Sequence, residues 1–313
     1  MAGMSVEMPT IAAIVVTFHS GPALKECLYA LCVDPHVSEI VIVNNGNDPD
    51  VVDWLLKFRC AGNNRRYEVI TGHGNVGFAT AVNLGAKRAQ SDCLLIINPD
   101  AVLRPGSTAP LEAARQTGRS PCLVGGKLFY MSGKEQRGGR RELLTLSRAL
   151  WSFTGLSKLE NIIPAFRDVH REKDPEPDGP VPMPVVSGAL CYISVEDFRK
   201  VEGFDELYFL HVEDIDFCRR IGEAGGEVVY TPLGGALHYG STSDVSASFV
   251  QWHKAKGLSY YFQKYAGSAV ERHLARASLY FFAVILVGRS TAIRIFWQTR
   301  RAMLLAWWKL TRG

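Results

Sequence analysis

Three groups of residues in this 313-residue chain are of the types and spacings that could do chemistry. The first is Asp100, which closes Asn98-Pro99-Asp100 directly after the apolar run Cys93 to Ile97. That run reads as a parallel strand buried on both faces, and open α/β sheets place ligands beyond the carboxyl ends of such strands. Asp100 is therefore aimed at a crevice, although Asn-Pro-Asp is also ordinary turn chemistry. The second group is Glu213, Asp214 and Asp216, three carboxylates in four positions behind the aromatic stretch Leu207 to Val212. If Glu213 opens a helix, the helix N-terminus favours the ionised form of all three. The third group is amide-rich: Asn44 or Asn45 could pair with a base edge. Asn75-Val76-Gly77 would turn backbone N–H groups at a helix N-terminus toward an anion. Each asparagine alone reads more readily as a turn former, and His238, in the Gly/Ser-rich stretch Leu237 to Ser243, reads by itself as structural.

The elements needed to position these groups follow from hydrophobic periodicity. Thr10 to Phe18, Glu39 to Val43, Tyr67 to Thr71 and Cys93 to Ile97 read as strands, separated by helical stretches at Ala23 to Cys32, Val51 to Cys60 and Ala79 to Ala89. Strands alternating with helices predict a doubly wound, mostly parallel α/β sheet whose strand-end loops collect Thr17, Asn44, Asn75 and Asp100 in one cleft. Further on, Leu111 to Gln116 reads as helix and Cys122 to Tyr130 as strand. Gly133 to Arg141 is a basic loop, solvated or touching an anion, and Asp174 to Pro184 is a Pro-rich connector. Pro184 to Val195 is a strand interrupted at Ser187-Gly188-Ala189, where small residues allow a ligand close. Val228 to Thr231 is a strand, and no G-x-G-x-x-G or Walker motif occurs.

Composition is that of a packed globular protein, with 47% hydrophobic and 21% charged residues. The seven cysteines have no C-x-x-C spacing and read as reduced core thiols of a cytosolic chain. No basic n-region precedes an apolar h-region, and Ile11 to Val16 is too short for a signal peptide or a membrane span. The net charge of +4 is a property of the tail, because residues 271–313 hold eight Lys/Arg against one acid. A nucleic-acid-binding domain spreads its basic footprint over the folded surface, so no nucleic-acid partner is expected.

The motifs VVTF, IVNNGN, N-x-G-F-A-x-A-x-N-x-G ending in LLIINPD, SGA, GFDELYF, VEDIDFCRR and H-x-x-G-S-T-S follow one another along the chain. Together they resemble inverting family-2 glycosyltransferases of the GT-A fold. The NPD form with ED-x-D-x-C resembles bacterial rhamnosyltransferase-like enzymes of cell-surface polysaccharide synthesis. The resemblance spans roughly residues 10 to 245 and implies a role for each matching position. Asp100, at the last position of the family's D-x-D motif, and His238 would hold a divalent metal, Mn²⁺ or Mg²⁺. Asp214 would be the general base, its pKa open to elevation by Glu213 and Asp216 through like-charge repulsion. Thr17, Asn44 and Asn75 match positions that hold the base and ribose, with Asn45, Gly77 and Asn98 beside them. Gly188 matches the small-residue position under the donor sugar, and Glu213 would orient the acceptor or Asp214. Asn98 replaces the first Asp of D-x-D, and Asn44 stands where the family usually has Asp.

What the resemblance implies is a nucleotide-sugar donor, dTDP-rhamnose or a UDP-sugar, and a polyprenyl-diphosphate-linked saccharide acceptor. A sugar-nucleotide-binding subunit without transfer activity is the alternative, whereas a nucleotidyltransferase lacks its Gly-rich phosphate loop here. The expected organisation is a catalytic domain over 1–266, with nucleotide-sugar and acceptor halves meeting near residue 130, and a helical region over 267–313. In that region Ile293, Phe296, Trp297, Met303, Leu304, Trp307, Trp308 and Leu310 share one face, and Arg294, Arg301 and Arg312 the other. A basic amphipathic helix of this kind reads as an in-plane anchor on a membrane surface, the cytoplasmic face of a bacterial inner membrane. A packed cap or a homo-oligomer interface is the alternative.

Overall fold

The computed structural model describes residues 8–60, 65–240 and 245–310, and their side chains except at 289 and 293–310. The amphipathic face expected over Ile293 to Leu310, Arg312, and Ser241-Thr242-Ser243 of the last motif thus lie outside the described residues or side chains. In chain order the elements are β1 (Ile11–Thr17), α1 (Ala23–Val33), β2 (Val37–Asn44), α2 (Pro49–Lys57), β3 (Arg66–Ile70), α3 (Phe78–Arg88) and β4 (Cys93–Ile97). They continue as β5 (Ala101–Leu103), α4 (Thr108–Thr117), β6 (Cys122–Phe129), β7 (Arg140–Arg141), α5 (Leu146–Thr154), β8 (Val181–Pro182), β9 (Val185–Val186) and β10 (Leu190–Ser194). The last are α6 (Val195–Lys200), α7 (Glu213–Glu223), β11 (Glu227–His238), α8 (Ala247–Lys264) and α9 (Ala269–Leu310).

The chain divides into two compact units, Met1–Leu144 with Asp168–Asp244, and Thr145–Arg167 with Val245–Gly313. The first carries a mixed sheet in the order β3-β2-β1-β4-β10-β6-β11-β5, with β8 added to β11. β3, β2, β1 and β4 run parallel, as the βα alternation predicts, and β10 enters antiparallel between β4 and β6. This is the mostly parallel α/β sheet read from the sequence. β1 and β4 are buried along their whole length because helices cover both faces. α3 lies close on β1 and β2: a Cβ at Gly85 would come within 2.6 Å of Ile14 and 3.2 Å of Val43, so glycine sets that spacing.

Register then levels the strand ends. Thr17 lies opposite Asn44, Val15 opposite Ile97, and Ile97 opposite Leu190. The interrupted strand is two strands, β9 and β10, and β9 leaves the main sheet to pair with β7, Arg141 opposite Val185. β11 runs to His238 rather than stopping at Thr231, absorbing Pro232-Leu233-Gly234 in a register shift against β6 before Gly235 pairs with Lys127. The reading of all seven cysteines as reduced thiols is corrected: Cys32, at the end of α1, is joined to Cys60, just beyond α2, in a disulfide. The other five are buried and free.

In the second unit, α9 lies on α8 through Ala275, Ser278, Phe282 and Leu286, four buried residues at helical spacing. Ser259 Oγ donates to Ala275 O at 2.9 Å, and Phe262 stacks on Phe282. α9 also exposes Val270, Leu274, Phe281 and Val284. By length and composition, Ala269–Ala292 is long and apolar enough to cross a membrane, with an 18-residue window of mean hydropathy 1.2.

Candidate functional site

Asp100 leaves β4 through Asn98-Pro99 and leads straight into β5, whose antiparallel pairing with β11 puts Ala101 opposite His238. Two residues 138 apart in sequence thereby meet, with His238 Nε2 lying 3.1 Å from Asp100 Oδ1. Asn98 Nδ2 lies 3.4 Å from the same ring nitrogen, and Tyr239 N–H donates to Asp100 O at 3.0 Å. Gln136 Oε1 sits on His238 Nδ1, while its amide N–H reaches His238 O at 3.5 Å. That partner assigns the proton to Nδ1 and leaves a lone pair on Nε2, directed at a carboxylate. A proton or a divalent cation relieves the facing of two acceptors, so the pair fits a cation whose remaining ligands are phosphate oxygens. Among the described residues no cluster of three or more His, Cys, Asp or Glu could hold a metal by itself. Gln136 was not legible as a site residue, since nothing in a basic loop marks one amide.

Asp214 opens the other half of the site on the first turn of α7. The residues before that helix, His211 (φ 65°) and Val212 (φ 75°), adopt left-handed backbone. For a β-branched residue that conformation costs energy and is held by its surroundings. Asp214 Oδ2 accepts from Arg141 Nη2 at 2.5 Å and from Gly188 N at 3.1 Å, and Oδ1 accepts from Ile215 N at 2.8 Å. Gly188 is needed for this approach, because a Cβ there would lie 3.2 Å from that of Asp214. The two halves touch through the Ser187–Ala189 bend, where Asn98 N–H donates to Ala189 O at 3.0 Å.

The charges differ from the sequence expectation. Burial alone would raise the Asp214 pKa, but the Arg141 guanidinium and the Gly188 N–H outweigh it and hold the carboxyl below its ordinary value. Asp216 does not raise it: its buried carboxylate faces away, bound by Arg220 Nε at 2.7 Å and Tyr208 OH at 3.2 Å. The expectation that the helix N-terminus keeps all three acids ionised also fails at Glu213. Burial, then the charge of Asp214, raises its pKa, and its Oε2 is buried with no hydrogen-bond partner. A neutral carboxyl is a donor as well as an acceptor.

This has a consequence for stability. Below the ordinary glutamate pKa both folded and unfolded chains hold the Glu213 proton; above it the unfolded chain releases it freely and the folded chain resists, so stability falls as pH rises. Glu213→Gln is expected to match wild type in thermal melting near pH 4 and to melt higher than wild type at pH 8 to 9. Parallel melting curves across that range would show that Glu213 is ionised at no cost.

The remaining amides line the ends of β1 and β2. Asn44 donates to Thr71 Oγ1 at 3.2 Å and accepts from Gly46 N and Asn47 Nδ2, and Asn47 Nδ2 also reaches Thr17 Oγ1 at 2.8 Å. Asn45 is turned inward, bonded to Gly77 O at 3.0 Å and His73 Nε2 at 3.1 Å. Asn75 Oδ1 accepts from Gly77 N at 3.0 Å, so that N–H is already spent within the loop. Gly77, at φ 86°, is required by packing, since a Cβ would come within 2.6 Å of Phe209 O.

Residues 12–177, more than half of the chain, match the family model described as Glycosyl transferase family 2. The chain belongs to that family. Over 273 residues it is 26% identical to the N-acetylglucosaminyl-diphospho-decaprenol L-rhamnosyltransferase of Mycobacterium tuberculosis, covering 78% of this chain and 82% of that one. A shorter match, 36% over 81 residues, is to rhamnosyltransferase WbbL of Escherichia coli, covering 25% and 30%. GalNAc-T7 with UDP, GalNAc and Mn²⁺ superposes with a TM-score of 0.59 at 14% identity, over 88% of this chain and 56% of that one. The mannosyltransferase PcManGT of Pyrobaculum calidifontis, with GDP-Man and Mn²⁺, gives 0.54 at 14%, over 96% and 79%. These are likenesses of fold, and the GT-A fold of this family-2 chain follows from them.

Proposed function

We propose that this family-2 protein is an inverting rhamnosyltransferase, moving L-rhamnose from dTDP-rhamnose to a polyprenyl-diphosphate-linked saccharide in bacterial cell-surface polysaccharide synthesis. The observation that carries the reading is the junction of β5 with β11, which joins Asp100 to His238, together with the Ser187–Ala189 bend, which bonds to Asn98 on one side and to Asp214 on the other. The relatives' names supply the sugar and the class of acceptor. Asp214 takes the proton of the acceptor hydroxyl as that oxygen bonds to the anomeric carbon on the face opposite the diphosphate. The carbon–oxygen bond to the diphosphate breaks with its electron pair leaving on the nucleotide, and one displacement inverts the centre. Thr17, Asn44 and Asn75 hold the nucleoside, the glycine at 188 leaves room for the sugar, and neutral Glu213 offers a hydrogen bond to a sugar hydroxyl. Asp100 and His238 would hold Mn²⁺ or Mg²⁺, which offsets charge on the leaving diphosphate.

The basic tail fits a location on the cytoplasmic membrane surface, where such an acceptor presents its diphosphate. Calorimetric titration with dTDP, UDP, GDP and CMP, each with and without Mn²⁺, tests the donor site. Metal-dependent preference for dTDP is expected; preference for UDP would change the donor, and no binding to any of the four would turn the reading toward a non-catalytic subunit. The membrane part is tested with the full chain, whose sedimentation with anionic vesicles is expected to exceed that with neutral ones.

A further inference from the structure

We propose that Arg141 is a positioning residue that holds Asp214 against Gly188 in the empty site and passes to phosphate oxygens when substrate binds, freeing the base only then. The inference rests on the reading of Asp214 as general base and adds to it a device that ties proton transfer to occupancy. Asp214 accepts three N–H groups, and two of them, from Gly188 and Ile215, are backbone and fixed by the bend and by α7. The third comes from Arg141, through a side chain that can swing.

That guanidinium is also incompletely used. Its Nη2 is shared between Asp214 Oδ2 at 2.5 Å and Val186 O at 2.9 Å, while Nε is buried and has no acceptor. An arginine edge presents two parallel N–H groups that match two oxygens of a carboxylate or phosphate. Its neighbours on the basic loop are committed elsewhere. Arg140 pairs with Glu135 through two bonds at 2.8 and 2.7 Å, and Arg137 pairs with Asp168 at 2.7 Å. Of these three arginines, Arg141 is the one with a buried N–H that lacks an acceptor beside the candidate base.

Among the described residues, the charged and titratable groups around Asp214 are Arg141 on β7, His211 before α7, Glu213 and Cys218 on α7, and Cys191 on β10. Arg141 is the cation whose departure would leave the carboxylate as a stronger base. A phosphate could come from the donor nucleotide or from the lipid diphosphate of the acceptor, and both offer the same oxygens.

The test is the pH dependence of transfer by the full chain. The acidic limb of kcat/KM reports the free enzyme and that of kcat the enzyme with substrate bound. In wild type the kcat limb is expected about one pH unit or more above the kcat/KM limb, because an opposite charge alongside depresses a carboxyl by that order. In Arg141→Gln the kcat/KM limb should rise to meet it. The same variant should raise KM about tenfold, for the donor if the nucleotide supplies the phosphate or for the acceptor if the lipid does. Arg141→Lys, which keeps the charge and the fold but not the two-pronged edge, should leave the limbs apart and raise the same KM. Coincident limbs in wild type, or a uniform fall at every pH in Arg141→Gln with KM unchanged, would overturn the proposal. Absence of any transfer by wild type would instead count against the function proposed above.

Discussion

Asp214→Asn is expected to lower transfer by about 10²–10⁴-fold, the range that a positioned general base supplies, while nucleotide binding stays near wild type. Under the proposed mechanism the substitution removes the group that would receive the acceptor proton, and it changes little else in volume. It also disturbs the local bonds in a way that reinforces the loss. Asp214 accepts from Arg141 and Gly188 on one oxygen and from Ile215 on the other. An amide can satisfy only one of those sides, since its nitrogen would face an N–H donor on the other. Donor binding is spared because Thr17, Asn44 and His238 on their strands, and Asp100 between β4 and β5, lie away from α7 in sequence and keep their own partners. Product formation followed by mass spectrometry, with calorimetric binding of dTDP in parallel, checks both halves. Residual transfer above about a tenth of wild type would remove Asp214 from the role of base, and the adjacent Glu213 would be the next group to test.

How far the site was legible in the sequence depends on how each residue is positioned. Thr17 and Asn44 each follow an unbroken apolar run, Ile11 to Val16 in β1 and Ile40 to Val43 in β2, so the pattern that reveals the strands also places their ends, and the register puts the two side by side. Asp100 was legible for the same reason. His238 was legible only through the family resemblance and not from strand periodicity, because Pro232-Leu233-Gly234 looks like the end of a strand, whereas the chain continues through a register shift and delivers the histidine to β5. A strand that absorbs an irregularity has no period to detect.

The electrostatics were harder still. Counting Asp216 as a neighbour of Asp214 ignored that residues two apart on a helix do not share a face. Asp216 belongs with Arg220, one turn on, and the two pair as the i,i+4 spacing allows. The partner that does govern Asp214 is Arg141, 73 residues earlier on a two-residue strand. No hydrophobic alternation can be read over two residues, and β7 exists only because β9 is there to pair with it. The disulfide escaped for a similar reason: Cys32 and Cys60 are 28 residues apart, at the ends of separate helices, and only the packing of those helices brings their Cα atoms within 5.4 Å.

Asp100→Ala is expected to abolish the metal-dependent part of nucleotide binding and with it transfer, by about 10²-fold or more. The case rests on how few donors the chain offers to a cation. The first position of the D-x-D motif is Asn98, which contributes no charge, and His238 contributes a neutral imidazole whose Nδ1 proton is committed to Gln136. Asp100 is then the one carboxylate of the pair, and hard divalent cations depend on anionic oxygen. His238→Ala, which leaves that carboxylate in place, should weaken metal-dependent binding less than Asp100→Ala does, because it removes a neutral ligand rather than an anionic one. Asn98→Asp, which restores a second charge beside the first, should strengthen it. Titrating Mn²⁺ into each variant in the presence of dTDP orders the three effects. If Asp100→Ala bound dTDP with the same dependence on Mn²⁺ as wild type, the cation would have to be held elsewhere, and the meeting of β5 with β11 would serve the fold alone.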